Sequence, residues 1–217
     1  NEAGTIGETL NLVSRMDGPV EVLVVDGGSD DDTVSIVRAH GVRVITAKRG
    51  RGPQMHAGAN AASGIAIWFL HADTHPPRDG ALRILEAMRD PSIAGGNFSL
   101  RFGGVRKAAR FMSWFYAQFR KFGLFYGDSA IFVRREFYER SGGYPALPLF
   151  EDVELIRRLR KLGRMVHIPA TVECSSRRFE SGRSFTVALG RAILLQVLYW
   201  MGVPPVTLYR FYPQIRK

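Results

Sequence analysis

The stretch Trp68-Phe69-Leu70-His71-Ala72-Asp73 decides how the rest of the chain is arranged. Its apolar first half is typical of a strand buried in a parallel sheet, and its polar end finishes on a carboxylate. Pro76 and Pro77 follow at once, so the chain must leave the sheet there. Open α/β sheets bind ligands at the carboxyl ends of their strands, so we expect Asp73 to take part in the chemistry. On this stretch alone, a helix cap or a turn remains the alternative role.

Two earlier strands are predicted at Val20–Val25 and Val42–Thr46, and each follows a stretch with helical spacing of apolar residues. The alternation of helix and strand continues as far as Leu70. It predicts an α/β fold with a mostly parallel central sheet flanked by helices. The loops at 26–32 and 48–54 follow these strands, so they should face the same crevice as Asp73.

The loop at 48–54 places Lys48, Arg49 and Arg51 among glycines, just before a helix rich in small residues. Such a loop can bind phosphate through backbone N–H groups, the helix dipole and cationic side chains together. It matches neither the GxxxxGK[ST] nor the GxGxxG pattern, so we predict neither a P-loop nor a Rossmann site. We expect Arg51 and Gln54 to contact a nucleotide.

Two later groups of charged residues complete the chemistry that the sequence offers. Glu151 and Asp152 open a helix, where acids are favoured by the dipole, so they are either helix caps or a general base. Arg177 and Arg178 could neutralise a departing diphosphate. Group transfer from a nucleotide diphosphate needs base recognition, a metal ligand, a general base and a clamp for the leaving group. Near the predicted crevice, an Asp can accept a hydrogen bond from a base, and Asp73 can bind a divalent cation.

The segment 106–122 is rich in aromatic residues. It either packs as core and lid or forms the wall of an acceptor pocket. We assign Trp114 to that pocket, together with Gly127 and Asp128 of the loop that follows.

Composition limits the class of partner. The chain has 217 residues, a net charge of +10 and a pI near 10.2, which imply an anionic partner. The single cysteine, Cys174, permits no internal disulfide and fits a cytoplasmic protein. The chain opens abruptly at Asn1 without an initiator Met, and we expect a preceding strand to be missing.

The last part of the chain is predicted to be a C-terminal amphipathic helical extension, residues 181–217, after a catalytic domain at 1–180. A helix is predicted at 184–201, and its strongly apolar part, 192–200, is shorter than the roughly 20 residues of a membrane span. It packs on the core, on a second subunit in a homodimer, or on an anionic membrane surface, the inner face of the plasma membrane.

Taken together, these motifs resemble family 2 glycosyltransferases with the GT-A fold, over nearly the whole chain. The resemblance rests on five short segments. They are Asn1-Glu2, Asp26-Gly-Gly-Ser-Asp-Asp31, His71-Ala-Asp73, Glu151-Asp152 and Ser175-Ser-Arg-Arg-Phe179. Two of them depart from the family pattern, since His71 replaces the first Asp of Asp-x-Asp and Ser175 replaces the Gln of Gln-x-x-Arg-Trp.

The resemblance implies an inverting sugar transfer from a nucleotide-sugar donor, with uridine as the expected base, to an acceptor that the sequence does not identify. It implies Asp152, beside Glu151, as the catalytic base. It also implies a divalent metal, Mn²⁺ or Mg²⁺, on Asp73, with His71 as a further candidate ligand. The nucleotide is expected to contact the following residues: Glu2, Asp26, Gly27, Arg51, Gln54, Asp73 and Arg178.

Within the family, the Leu70–Thr74 block and the run from Gly50 to Met55 resemble a small bacterial subgroup linked to arsenosugar or selenium-related gene neighbourhoods.

Two other classes of function compete with this hypothesis. A nucleotidyltransferase would share the nucleotide-binding sheet and release pyrophosphate. A non-catalytic binder of nucleic acid or anionic membrane would use the net charge alone. Three acids, Asp26, Asp73 and Asp152, are predicted in loops at the edge of the crevice. Their negative charges would repel the phosphates of a nucleic acid unless a metal ion lay between them, so we expect no nucleic-acid partner.

Overall fold

The computed structural model describes residues 1–103, 113–114, 118, 129–175 and 185–212. Within these residues the chain alternates helices and strands, numbered in chain order. They are α1 (Ile6–Val13), β1 (Leu23–Asp26), α2 (Thr33–Ala39), β2 (Arg43–Thr46), α3 (Arg51–Ala61), β3 (Ala66–Trp68), β4 (Thr74–His75), α4 (Gly80–Ala87), β5 (Ile93–Phe102), β6 (Phe132–Arg134), α5 (Arg135–Arg140), α6 (Glu151–Leu162), β7 (Arg164–Cys174), α7 (Phe185–Trp200) and α8 (Pro205–Tyr209).

The first two predicted strands are confirmed, although β1 begins at Leu23 rather than Val20 and extends to Asp26. β1 and β2 pair in parallel, with Asp26 opposite Thr46. The apolar residues that recur at helical spacing in α1 pack with Val37 of α2, and Ile6 and Leu10 are buried there. The carboxyl ends of both strands therefore open onto the loops that carry the polar motifs.

The remaining strands form a mixed sheet in the order β3-β6-β5-β7-β4. β5 and β7 are parallel, whereas β6 lies antiparallel between β3 and β5, and β4 pairs antiparallel with β7. The α/β class and the flanking helices are thus confirmed, but the sheet is mixed rather than mostly parallel, and β3, expected to be a parallel strand, pairs antiparallel with β6. The antiparallel pairings were not evident from the sequence, because they join segments more than 30 residues apart.

β7 is one strand of 11 residues, although it contains Pro169. Its register against β5 shifts here, since Ile168 pairs with Phe98 and Thr171 pairs with the next residue, Ser99. Pro169 and Ala170 therefore form a bulge. Proline has no N–H to donate to the ladder, so a bulge is where a strand can accommodate it.

The mixed sheet is covered on both faces. On one face, Leu155 and Leu159 of α6 pack against Ile131 and Val133. On the other, Ile84 and Met88 from the α4 region pack with Phe98 and Phe132. The helix predicted from Glu151 onward is confirmed, and its burial fixes the position of the acids at its start.

The C-terminal part of the described chain consists of α7 and α8. Among the described residues, no helix is long and apolar enough to cross a membrane. Large apolar side chains on α7, α8 and their flanks are more than half exposed. They are Val187, Leu194, Trp200, Met201, Val206 and Phe211.

Several predicted features lie outside the described residues. They are most of the aromatic segment 106–122, the acceptor-pocket residues Gly127 and Asp128, and the Arg177–Arg178 pair. Trp114 is described and is 58% exposed. The division at residue 180 also stays a prediction.

Candidate active site

A cavity of about 170 Å³ opens at the carboxyl end of β1, beside the loop that follows β2. Four residues predicted to contact the nucleotide, Glu2, Asp26, Gly27 and Gln54, line it together. Polar, apolar and cationic residues complete the wall. They are Asn1, Ile6, Val24, Val25, Gly28, Ser29, Thr33, Arg49 and Ala72. The cavity thus joins the start of the chain, the Asp26 loop, the basic loop and the residue before Asp73.

Asp26 is held by the loop that follows it. Its carboxylate accepts hydrogen bonds from the backbone N–H groups of Gly28, at 2.9 Å, and Ser29, at 3.1 and 3.2 Å. Burial alone would raise the pKa of Asp26, but hydrogen bonds from the Ser29 hydroxyl and these two backbone groups outweigh it and lower the pKa. The carboxylate is therefore kept ionised as an acceptor at the mouth of the cavity.

Gly27 and Gln54 fit each other closely. A Cβ on Gly27 would lie 2.8 Å from Oε1 of Gln54, a distance that real Cβ atoms do not adopt. The Gln54 amide donates from Nε2 to the Val25 carbonyl at 3.0 Å, while its Oε1 accepts from the Gly50 N–H at 3.3 Å. Glycine at 27 therefore lets the basic loop approach β1.

The first residues of the chain are fastened to the loop before α2. The Glu2 N–H donates to Oγ1 of Thr33 at 2.7 Å, and the Ala3 N–H donates to the Asp31 carboxylate at 3.1 Å. The Glu2 carboxylate in turn accepts from the Thr5 hydroxyl at 3.0 Å. These contacts place Glu2 in the cavity wall.

Arg51 connects two predicted site segments. Its Nη2 lies 3.1 Å from Nε2 of His71, and its Nε lies 3.4 Å from Oε1 of Glu151. The basic loop thereby brings the His71–Asp73 segment together with the start of α6. The backbone of the basic loop also packs closely here, because a Cβ on Gly52 would lie 2.7 Å from the Pro145 carbonyl oxygen and 3.6 Å from Cβ of Glu151.

The contact with Arg51 also bears on His71. A guanidinium can only donate, so Nε2 of His71 is the acceptor in this contact, which corresponds to the tautomer with its proton on Nδ1. Ligation of a metal through Nε2 would therefore require this hydrogen bond to be exchanged. The role of His71 as a ligand stays a prediction.

Asp73 is the residue that could hold a divalent cation. No cluster of three or more His, Cys, Asp or Glu side chains suited to a metal occurs within the described part of the chain. A single carboxylate still fits Mg²⁺ or Mn²⁺ when diphosphate oxygens and water supply the other ligands. The Asp73 carbonyl accepts from the Ser175 N–H at 3.3 Å, so Ser175, immediately after β7, lies beside this loop.

Glu151 and Asp152 form the buried start of α6, where they are only 5% and 8% exposed. Oδ1 of Asp152 accepts from the Val153 N–H at 2.8 Å. Phe150, immediately before them, has φ +61° and ψ +23°, the left-handed conformation. A bulky residue rarely adopts this conformation, and it turns the chain so that both acids enter the helix.

Tyr144 is a buried neighbour of these acids that the sequence did not single out. Burial raises the pKa of its hydroxyl, the charges of Asp152 and Glu151 raise it further, and Arg51 lowers it. The hydroxyl has no hydrogen-bond partner among the residues that the structure describes. No sequence pattern pointed to Tyr144 or to the conformation of Phe150, whereas Arg49 was visible as a cation of the basic loop.

Comparison with known proteins places this arrangement in a family. The family model described as Glycosyl transferase family 2 matches residues 1–139. No curated protein matches the chain.

Solved glycosyltransferases share the fold. A mannosyltransferase from Pyrobaculum calidifontis, in complex with GDP-Man and Mn²⁺, is 23% identical with a TM-score of 0.67, over 91% of this chain and 59% of that one. Glucosyl-3-phosphoglycerate synthase from Mycobacterium tuberculosis, in complex with Mn²⁺, UDP and glucosyl-3-phosphoglycerate, is 22% identical with a TM-score of 0.64, over 94% and 77%.

TarS of S. aureus is 16% identical with a TM-score of 0.64, over 81% of this chain and 35% of TarS. The present chain thus spans between about a third and three quarters of the length of these neighbours. The GT-A fold expected from the sequence is confirmed.

Proposed function

This chain belongs to glycosyl transferase family 2, and on that premise we propose that it transfers a sugar, with inversion, from a nucleotide-diphosphate sugar to an acceptor hydroxyl. The observation that supports this most directly is the cavity that gathers Glu2, Asp26, Gly27 and Gln54. Arg51 adds the second support, because it links the His71–Asp73 segment to the acids of α6.

The proposed donor is a UDP-sugar. An ionised Asp26 can accept a hydrogen bond from a base N–H, because a carboxylate has more acceptor sites than the two backbone donors use. Uridine is proposed from the family resemblance. The structural neighbours include complexes with both GDP-Man and UDP, so the base has to be tested directly.

The proposed metal residue is Asp73, which would hold Mn²⁺ or Mg²⁺. Such an ion supplies positive charge that stabilises the departing diphosphate. Arg178 is proposed to assist at the diphosphate, and Arg51 is proposed to meet the same group, since its guanidinium lies 3.1 Å from His71.

Asp152 is the proposed general base. It would take the proton of the acceptor hydroxyl while that oxygen attacks the anomeric carbon from the face opposite the diphosphate. The bond from the anomeric carbon to the phosphate oxygen breaks, and its electron pair leaves with the nucleoside diphosphate. Glu151, paired with Arg51, would hold the start of the helix in place rather than take the proton. Trp114, Gly127 and Asp128 are proposed to line the acceptor side.

The acceptor remains open in this proposal. We also propose that the chain belongs to the bacterial subgroup linked to arsenosugar or selenium-related gene neighbourhoods. The basis is the similarity of two segments, Leu70–Thr74 and Gly50–Met55, to that subgroup.

Calorimetric titration tests the donor site. UDP, with GDP as the comparison, is titrated into the protein with and without Mn²⁺, and the same is done with Asp73→Ala. We expect UDP to bind more tightly with Mn²⁺ and this gain to disappear in the variant. Asp17→Ala is the matched control, because Asp17 is not part of the cavity wall and forms an exposed ion pair with Arg78, 3.1 Å long.

Absence of nucleotide binding by the folded protein under all these conditions would overturn the donor site. A panel of UDP- and GDP-sugars then distinguishes the classes of reaction. Release of nucleoside diphosphate supports sugar transfer, whereas release of pyrophosphate would indicate a nucleotidyltransferase.

The proposal includes peripheral contact with an anionic membrane, at the inner face of the plasma membrane, through the helical extension at 181–217. Two observations support it. The extension contains five cations, Arg183, Arg191, Arg210, Arg216 and Lys217, and no Asp or Glu. Exposed apolar side chains, including Leu194, Trp200 and Phe211, share this region. Apolar insertion combined with attraction to anionic lipid is the usual basis of such binding.

Co-sedimentation with vesicles tests this contact. We expect the protein to bind vesicles that contain phosphatidylglycerol, and to bind them less at high salt. It should not bind vesicles of pure phosphatidylcholine. Replacing Leu194 and Trp200 by Ser should abolish binding. A homodimer detected by light scattering, together with no vesicle binding, would instead assign this surface to a second copy of the chain.

A further inference from the structure

Phe150 occupies a conformation that a phenylalanine does not adopt without support. Its φ of +61° and ψ of +23° lie in the left-handed region, and it stands directly before Glu151 and Asp152. Such a conformation costs a non-glycine residue on the order of 1–2 kcal/mol. Surrounding contacts must therefore hold it.

The contact that can do so comes from the C-terminal helix. The rings of Phe150 and Tyr199 are stacked, with centroids 4.5 Å apart and planes inclined by 25°. Stacked aromatic pairs contribute about 0.5–1.5 kcal/mol beyond the area that they bury, which is comparable to the cost of the left-handed turn. Tyr199 lies on α7, 49 positions along the chain, so this support is tertiary rather than local.

Tyr199 also responds to the charges at the start of α6. Burial raises the pKa of its hydroxyl, the charges of Glu154 and Asp152 raise it further, and Arg157 lowers it. The carbonyl of Phe150 accepts from the Glu154 N–H at 3.0 Å and so closes the first turn of the helix. The ring stack and the helix start therefore form one packed unit.

We propose that Tyr199 and Phe150 are positioning residues for Asp152, and that their stack holds the turn that presents this carboxylate to the acceptor. The proposal rests on the proposed function, in which Asp152 is the general base. It also assigns α7 to the catalytic unit, so the helical extension is not a separable appendage to residues 1–180.

The first test compares Tyr199→Ala with Tyr199→Phe, which keeps the ring. Val197→Ala is the control, because Val197 is exposed on the same helix two positions away. With the sugar donor that the wild type turns over, we expect kcat of Tyr199→Ala to fall roughly tenfold while KM for the donor stays within about twofold. Tyr199→Phe and Val197→Ala should keep wild-type kcat.

A second measurement does not depend on turnover. Amide hydrogen exchange at Glu154, whose N–H is bonded to Phe150, should speed up roughly tenfold in Tyr199→Ala and remain unchanged in Tyr199→Phe. Thermal unfolding and UDP titration show whether the variant is folded and still binds nucleotide. If Tyr199→Ala unfolds, Phe150→Leu, which removes the aromatic ring on the other side, takes its place in both measurements.

The outcomes separate the two proposals. A wild-type protein that binds UDP but transfers no sugar contradicts the proposed function. The hydrogen-exchange measurement at Glu154 would still test whether Tyr199 holds the turn at Phe150. Wild-type transfer with unchanged kcat and unchanged exchange in Tyr199→Ala overturns the positioning role alone. Equal loss of donor binding and kcat would overturn it as well, because it would mark Tyr199 as a general structural residue.

Discussion

Asp26 and Asp152 are almost equally buried, at 9% and 8% exposure, but they are held in different ways. The Asp26 carboxylate is fixed by backbone N–H groups two and three residues further along. Asp152 stands at a turn that depends on Phe150 in the left-handed region, on Tyr199 from another helix, and on Arg51 paired with Glu151. The Asp26 carboxylate is thus held by local hydrogen bonds, whereas the turn that carries Asp152 is held by tertiary contacts.

This difference explains why the two sites should respond differently to mutation. A locally built loop keeps its shape when distant parts of the protein change. A turn held by distant contacts changes shape when any of those contacts is lost, and the carboxylate on it then moves. The predictions below test this contrast, beginning with the largest effect.

The largest effect is expected at Asp152 itself. Asp152→Asn removes the proposed base without removing a phosphate contact, so transfer should fall about 10²–10⁴-fold while UDP affinity stays near wild type. Asp26→Ala should do the opposite, weakening UDP binding about tenfold or more while leaving kcat at saturating donor largely intact. Calorimetry together with steady-state kinetics measures both.

Equal losses of affinity and turnover in Asp152→Asn would contradict the division of roles between the two acids. Arg178→Ala extends the same comparison to the leaving group. It should weaken UDP binding, and unchanged affinity would leave Arg178 without a role at the diphosphate.

The next effect concerns two glycines, one at each site. Gly52→Ala would press a Cβ against the Pro145 carbonyl oxygen at 2.7 Å, where rigid backbone cannot yield. We expect it to lower the free energy of unfolding by about 1–2 kcal/mol, after allowing for the better helix propensity of Ala. Gly27→Ala meets the flexible end of Gln54, so its cost in stability should be smaller, about 1 kcal/mol from the lost bond to Val25.

Urea unfolding ranks the two variants, and UDP titration provides the check. Gly27→Ala should weaken nucleotide binding, since Gln54 lines the cavity. If Gly27→Ala proves less stable than Gly52→Ala, Gln54 cannot move away from the added Cβ. The loop at Asp26 would then be held more rigidly than its local hydrogen bonds explain.

The contrast between local and tertiary contacts also explains which features could be predicted from the sequence. The Asp26 loop was placed at the end of a strand because a β-branched run leads directly into it, and α6 was foreseen because Leu155 and Leu159 recur at helical spacing. The left-handed turn at Phe150 was not foreseen, since no glycine or asparagine marks it. The hydrogen bond between Arg51 and His71 and the antiparallel place of β6 were also missed, because both depend on contacts between distant segments.

A smaller effect depends on pH at the first turn of α6. Glu154 accepts from Arg157 at 2.7 Å and from Arg158 at 2.9 Å. The hydrogen bonds and charges of these arginines, with Arg157 the stronger, outweigh burial and lower the pKa of Glu154 from 4.5 to about 2. A lowered native pKa means that the folded state favours the carboxylate. Its contribution is therefore complete above the unfolded pKa and is lost as the pH falls toward 2.

Glu154→Gln should therefore lower the free energy of unfolding by about 1–2 kcal/mol at pH 6, a figure reduced for the solvent exposure of the arginines. The gap between wild type and variant should close as the pH is lowered from 5 to 2. Urea unfolding across this range measures it, with Glu86→Gln as the control, because Glu86 pairs with Arg89 at the same i, i+3 spacing but is exposed. A gap that does not change with pH would show that the arginines do not act through the charge of Glu154.

The smallest effect is expected from two buried tyrosines, Tyr144, which lies near the acids, and its neighbour Tyr138. The Tyr138 hydroxyl accepts from the Tyr144 N–H at 3.1 Å and lies 3.0 Å from Nδ1 of His56, so Tyr138→Phe should cost about 1 kcal/mol. The Tyr144 hydroxyl is buried, and no partner for it is found among the described residues. Tyr144→Phe should therefore raise the free energy of unfolding by up to about 1 kcal/mol, because it removes an unsatisfied polar group.

Urea unfolding measures the change in the free energy of unfolding for both phenylalanine variants. We expect this change to be negative for Tyr138→Phe and positive for Tyr144→Phe. A stabilised Tyr144→Phe would mean that the turn at Asp152 keeps a polar group at a cost in stability, whereas the Asp26 loop satisfies its carboxylate locally. A destabilised Tyr144→Phe would mean that its hydroxyl has a partner, such as a bound water, close to Asp152 and Glu151. The start of α6 would then be as fully hydrogen-bonded as the Asp26 loop, and the difference between the two sites would lie in the Phe150 turn alone.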